Sequence, residues 1–278
     1  DVNGNYEPSN CKWSTKIEQG NNRRNNRRID YNGKTYTISE FARLFNVEPN
    51  NVFADFRRGL TEEQIISKFV KLVDNNLRYS MYGRVGDDMK NKYLVSDFEK
   101  KAFNRFSSED YVDGKIDGKI YAEIAELDVD YAFKKKKRRF REDLFKGMFA
   151  VIRSEKDLGA WVKVTKNGFK FFISKNKLET DDIAFEKIFD IYTDNRSVAH
   201  QVIQSEMREI LTRFYKDYDL RFEVMFKENI IFMRFFTPSM FEPKVFGNSI
   251  DKKLLFTYYN IIKFISEVTN KIEKEIND

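Results

Sequence analysis

The chain has 278 residues, with 50 Lys and Arg against 44 Asp and Glu, a formal net charge of +6, and 27 Phe and 14 Tyr within a 41% hydrophobic share. So many large apolar side chains exclude a disordered chain, and the length accommodates one to three domains. A single cysteine, Cys11, excludes an intramolecular disulfide, and the absence of C-x-x-C or His-rich spacing leaves no zinc motif, so a reducing, cytoplasmic setting is expected.

Charge is distributed unevenly. Between Asn10 and Thr35 seven Lys or Arg face two acids, Glu18 and Asp30. Ser14 or Thr15, with Glu18 as a capping-box partner, is expected to start a helix running to about Asn26. Arg23, Arg24, Arg27 and Arg28 would then fall at i, i+1, i+4 and i+5, separated by asparagines able to donate to phosphate or base edges. Two readings stay open, a polyanion contact and a solvated helix face.

The run YEPSNCKWSTKIEQGNNRRNN, Tyr6 to Asn26, resembles the C-terminal half of the HNH endonucleases of phages and mobile elements, a ββα-metal fold. That resemblance places Asn10 at the family's central Asn, which orients the catalytic histidine, and Gln19 at the last signature position, where it is a poor metal ligand. Lys12 replaces the usual Arg, while Trp13 and Thr15 match. The histidine base would belong upstream of Asp1, so the resemblance implies that residues 1–28 are the C-terminal part of such a domain. It implies a divalent metal, Mg or Mn, only where a complete site exists upstream, and no cofactor within this chain. The one histidine, His200, sits in an unrelated helical pattern and is read as structural.

Farther along, Asn32-Gly33 signals a two-residue hairpin turn. Thr37 with Glu40 reads as a second capping box, ahead of Ile38, Phe41, Ala42 and Phe45 at helical spacing. A helix over Asn51 to Arg58 and a third one, from Thr61 with Ile65, Ile66, Phe69 and Leu72, complete a helix-turn-helix-like module over 29–75. It is similar to the small modules that follow the nuclease domain in such enzymes. Asn51, Arg57 and Arg58 are its candidate base or phosphate contacts; a small helical domain with a generic charged surface is the alternative. Residues 76–94 are polar, contain Gly83 and Gly86, lack a period, and are read as a linker.

Strand patterns dominate residues 95–278. They cover Lys119 to Leu127, Phe145 to Ile152, Gly168 to Ser174, Ile188 to Thr193, Leu220 to Phe226 and Ile230 to Phe236. Two long helices are expected at Ser197 to Tyr215 and Asp251 to Ile276. The fold class is therefore α+β: a small helical nucleic-acid-binding-like region, then a larger antiparallel-sheet domain packed with two long helices. The ordered runs FSSEDYVDGKIDGK, LFKGMFAVI, FEKIFDIYTDN, RFEVMFKENIIFMRF and MFEP resemble a widespread bacterial domain family of unknown function over about residues 96–275. Members commonly carry two transmembrane helices ahead of the domain; here the nuclease-like region takes that position.

Inside this domain Lys134, Lys135, Lys136, Lys137, Arg138, Arg139 and Arg141 make seven basic residues of eight, expected at a loop tip. Such a run suits nucleic acid or anionic lipid, or is a solvated hairpin end beside Glu142 and Asp143. The acidic positions Glu109, Asp110, Asp128, Asp130, Asp181 and Asp182 are read as turn and strand-edge solubility rather than metal ligands. Two hypotheses result. One is a DNA-associated protein with double-stranded DNA as partner, in preference to an anionic membrane surface; the other is a non-enzymatic intracellular interaction module whose functional unit is the α+β domain. Because no residue replaces the missing histidine base, incubation with supercoiled plasmid and Mg²⁺ or Mn²⁺ is expected to give no nicking. Nicking abolished by Asn10→Ala would overturn that expectation.

Overall fold

The computed structural model describes residues 13, 15–21, 28–31, 34–37, 40, 61–86, 103–135, 138–155, 157–168, 176–237 and 252–275. Contacts divide the chain into two compact units, Asp1–Thr61 and Glu62–Asp278.

In the smaller unit, helix α1 (Lys16–Asn21) starts at the expected capping box. The Thr15 amide donates to Glu18 Oε2 at 2.7 Å and the Glu18 amide donates to Thr15 Oγ1 at 3.2 Å, so two amides left over by the helix start are satisfied reciprocally. Strands β1 (Arg28–Tyr31) and β2 (Lys34–Thr37) pair antiparallel from Arg28↔Thr37 to Tyr31↔Lys34 across Asn32-Gly33. Arg28 therefore stands in a strand, not on a helix face shared with Arg23, Arg24 and Arg27, because the turn fixes its register against Thr37. The second capping box is also formed, with the Thr37 amide on Glu40 Oε2 at 2.8 Å and the Glu40 amide on Thr37 Oγ1 at 3.2 Å.

The larger unit begins with α2 (Glu62–Val73) and β3 (Leu77–Ser80). It continues through the long strands β4 (Arg105–Ile116), β5 (Ile120–Lys135) and β6 (Arg138–Arg153), then β7 (Trp161–Lys166) and the short β8 (Lys177–Leu178). After the one-turn helix α3 (Ile183–Glu186) come β9 (Phe189–Thr193), α4 (Arg196–Val202) and α5 (Ser205–Tyr218). Strands β10 (Phe222–Lys227) and β11 (Ile230–Phe235) and helix α6 (Lys252–Glu275) complete it. All nine strands form one antiparallel sheet in the order β3-β4-β5-β6-β11-β10-β7-β9-β8, and the fold is α+β.

Several elements differ from expectation. Residues 77–80, inside the stretch read as a linker, pair with β4 from Leu77↔Gly114 to Ser80↔Tyr111, because Leu77 and Tyr79 alternate inward and reach the core. Helix α2, assigned by sequence to the 29–75 module, falls in the larger unit, where Phe69 meets Tyr259 of α6 edge-on at 6.3 Å. The helix expected at Ser197 to Tyr215 is two, since Ile203 and Gln204 leave helical geometry between α4 and α5. The strand expected at Gly168 to Ser174 lies mostly outside the described residues; the strand found there ends at Lys166.

Alternation assigns two faces to the sheet. One packs against helices: Phe214 of α5 stacks on Phe264 of α6 at 4.1 Å, and Phe264 meets Phe222 and Phe235 edge-on at 5.2 and 5.8 Å. Helix α6 is held there by Tyr258, Ile261, Ile262, Ile265, Val268 and Ile272, all buried at three- and four-residue spacing. The other face carries Ala125, Leu127, Val129, Phe145, Phe149, Val151 and Phe232, continued at its other end by a row of charges. There Glu223, 3% exposed, lies against the Arg234 guanidinium, with Lys163 Nζ at 3.4 Å and Arg221 at 3.3 Å.

Burial alone would push the Glu223 carboxyl up, but Arg234, Lys163 and Arg221 outweigh it and hold it at about 2. The contribution of Glu223 is therefore complete above its ordinary value of 4.5 and is lost as the pH falls from there toward 2. Glu223→Gln leaves two buried cations short of their partner and is expected to cost about 3–5 kcal/mol at neutral pH. Urea unfolding at pH 7 and pH 3 checks this; the gap between variant and wild type should narrow at the lower pH.

Candidate nucleic-acid interface

Strands β5 and β6 pair over their full lengths, from Tyr121↔Arg153 to Lys135↔Arg138. Their neighbours stop sooner: the last β4 pair is Arg105↔Asp130 and the last β11 pair is Phe235↔Met148. Among the described residues, Tyr131–Lys135 and Arg138–Glu142 have no strand partner except each other, so the two strands continue past the sheet as a ribbon. The five residues from Tyr131 span about 17 Å at the usual strand rise.

The basic run is therefore strand rather than loop tip. Lys134 pairs with Arg139 and Lys135 with Arg138, and only Lys136 and Lys137, which join the strands, lie outside the described residues. The strand pairing of β5 with β6 simply continues, in one register, through the charged stretch.

Arg141 is separate from the rest. Its guanidinium reaches Asp128 at 2.8 Å, Asp130 at 3.0 Å and Asp143 at 3.1 Å, while Lys146 approaches Asp128 at 3.8 Å and Arg105 approaches Asp130 at 3.9 Å. Asp130 is only 3% exposed, and the neighbouring Asn104 exchanges two hydrogen bonds with Ala132, at 2.7 and 2.8 Å. Arg141 thus fastens the base of the ribbon, and its charge is already neutralised.

The reading of the acidic positions as surface solubility needs the same correction. Asp128 and Asp130 are ion-paired at the ribbon base. Asp110 is buried in the left-handed region at φ 52°, accepts a hydrogen bond from the Tyr79 hydroxyl, and has its carbonyl bonded by the Tyr258 hydroxyl at 3.0 Å. Asp182 caps α3, and Asp181 pairs with Arg208 at 2.9 Å.

Sequence reasoning missed an aromatic ladder beside the charges. Tyr131 and Phe133 lie 5.8 Å apart and 23° from parallel; Phe133 and Phe140, a cross-strand pair, lie 5.5 Å apart and 16° from parallel. Phe133 and Phe140 are 37% and 43% exposed, on a ribbon that no other described element covers. The signal was present in YAFKKKKRRF, where two rings two residues apart precede the charges and a third follows them. The run had been read as charge alone.

Other sequence candidates fare differently. Asn10, Arg23, Arg24, Arg27, Asn51, Arg57 and Arg58 lie outside the described residues. His200 is exposed on α4. A groove of about 380 Å³ beside α3 and α5 is lined by Phe185, Arg208, Thr212 and Lys216, with Arg208 engaged by Asp181 and Asp182. Among the described residues no group of three or more His, Cys, Asp or Glu is arranged to hold a metal, and no helix is long and apolar enough to cross a membrane.

Fold and ribbon together describe an α+β sheet protein with one basic, ring-bearing hairpin. Within it, residues 143–274 match the model of a family described as a protein of unknown function, DUF3137. The match begins at Asp143 and so leaves β5 and the basic run outside it. Among solved structures, the chain is similar to the crystal structure of the mycobacterial trehalose monomycolate transport factor A, TtfA, with 9% identity, a TM-score of 0.42, and coverage of 74% of this chain and 93% of that one. No curated protein matches the chain.

If Arg141 fastens the ribbon, Asp130→Ala should accelerate amide exchange over residues 131–141 by about tenfold, equivalent to about 1.4 kcal/mol of local opening, with little change at α6. Hydrogen-exchange mass spectrometry checks this.

Proposed function

We propose that the larger unit is a non-enzymatic binding module whose contact element is the β5–β6 ribbon and whose partner is nucleic acid, engaged through its phosphates. One observation carries this reading: the strand register pairs basic positions with basic positions at the ribbon end. Lys134 opposes Arg139 and Lys135 opposes Arg138, an arrangement that opposes strand pairing unless something negative lies against it. Between Tyr131 and Glu142 there are seven basic residues and one acidic residue.

A lipid surface has the same charge, but the order of groups disfavours it. Hairpins that enter membranes carry apolar groups outermost and cations behind. Here the positions nearest the connection, Lys135 and Arg138, are cationic, and the rings at 133 and 140 stand behind them.

The nuclease-like resemblance of residues 1–28 agrees with a DNA partner, and Arg23, Arg24, Arg27 and Arg28 offer a second contact of the same chemistry. Each engaged phosphate releases counterions, so three or four contacts predict a slope of log affinity against log salt of roughly −3 to −4 on duplex DNA. The quadruple variant Lys134→Ala, Lys135→Ala, Arg138→Ala, Arg139→Ala should flatten that slope by about two units or more and weaken binding at low salt; Arg23→Ala with Arg24→Ala measures the second contact. Fluorescence-anisotropy titrations at two salt concentrations provide the test. Equal curves for wild type and the quadruple variant would remove the ribbon from the interface.

A further inference from the structure

Phosphate contacts by themselves give no preference for a single strand, because the duplex carries the higher charge density. The rings on the same ribbon do. Resting on the nucleic-acid reading above, we infer that the Tyr131–Phe133–Phe140 ladder is a stacking platform for unpaired bases, so that the ribbon takes single-stranded nucleic acid or exposed single-stranded segments in preference to continuous duplex.

The rings are half exposed, although nearly every other Phe in the described larger unit is buried in the core. Their near-parallel stacking, 16° and 23°, places them as successive tiles on one face of the ribbon, continuous with the row Leu127 and Val129. Centroid separations of 5.5 and 5.8 Å leave no room for a base between two rings, since insertion requires about 6.8 Å, twice the 3.4 Å base spacing of one strand. A base therefore stacks on the outward side of the ladder, which is where Phe133 and Phe140 are open. A base inside a duplex has both faces covered by its neighbours and offers nothing to such a surface, whereas an unpaired base presents its π-face whatever its identity. Platform and charge are also close together: by the two-residue alternation the paired positions Lys135 and Arg138 share the ribbon face of Phe133 and Phe140, so a chain whose base rests on the rings carries its phosphates past cationic positions.

The two components separate experimentally. With the full chain, labelled oligothymidine of twenty nucleotides should bind about tenfold more tightly than a duplex of twenty base pairs at the same salt, the gain expected of one or two stacked bases. Phe133→Leu with Phe140→Leu, which keeps apolar bulk and removes the rings, should erase that preference and leave duplex affinity and salt slope within about twofold. A Phe140→Trp variant retains a ring and should keep the preference, with its indole emission quenched by oligothymidine and not by duplex.

If wild type binds both forms equally, or if the leucine variant weakens both alike, the platform is wrong while the phosphate reading stands. If neither form binds at low salt, both fall. Ring-dependent binding to vesicles containing phosphatidylglycerol, without ring-dependent binding to oligothymidine, would assign the ladder to a lipid surface and overturn the inference.

Discussion

The register of β5 against β6 is the constraint on which the larger unit depends. Each strand has sixteen residues, and the same pair serves as the middle of the nine-stranded sheet and as the free ribbon beyond it. A single irregularity separates the two roles: Val129 pairs with Phe145 but Asp130 pairs with Asp143, so Leu144 is an extra residue on β6. Without that bulge, Asp143 and Arg141 would exchange faces with Glu142 and Phe140. The ring would then point where the three aspartates now hold a guanidinium. The bulge also adds local twist where β11 ends. Gly147 is required there, since its φ is 143° and a Cβ would come within 2.0 Å of the Phe235 carbonyl oxygen.

Charge is handled differently on the two faces of the sheet. Around Glu223, the carboxylate, Arg234 and Lys163 are nearly dry while Arg221 is a third exposed, and each charge has a partner within 3.4 Å. Removal from water makes such a cluster costly to break and ties β7, β10 and β11 together in one register. Around Arg141, half exposed, the same kinds of groups gain much less from each other because water screens them, and they set an angle more than they supply stability.

How much of this was legible depended on sequence distance. Both capping boxes, the hairpin register of β1 and β2 and helix α6 are written in residues a few positions apart, and all formed. The polar stretch around 77–80 concealed a strand because only Leu77 and Tyr79 alternate inward, too short a pattern to separate from a loop. The Asp110 site was illegible for another reason: it is completed by Tyr79 and by Tyr258, the latter 148 residues away. Glu223 reads as an ordinary alternating strand residue until β11 brings Arg234 opposite it and β7 brings Lys163 alongside. The ladder was legible and was overlooked, since a run of seven basic residues drew the reading toward charge and away from the rings on either side.

The stability balance of the ribbon shows why those two features occur together. Two like-charge cross-strand pairs oppose pairing by roughly 0.2–1 kcal/mol each, and among the described residues the ribbon has no third strand to offset them. The neighbouring Phe133↔Phe140 pair contributes about 0.5–1.5 kcal/mol beyond its buried area, and the Asn104–Ala132 exchange and the Arg141 contacts fix the base. The opposing terms are of equal order, so the free ribbon is marginal at its end and well defined at its root. A polyanion bound there, as proposed, would change only one side of that balance. Neutralising the paired cations converts the repulsion into shared attraction for the ligand, while the ring pair is kept. Ligand and strand pairing are therefore thermodynamically linked: whatever neutralises positions 134, 135, 138 and 139 also closes the hairpin that presents them.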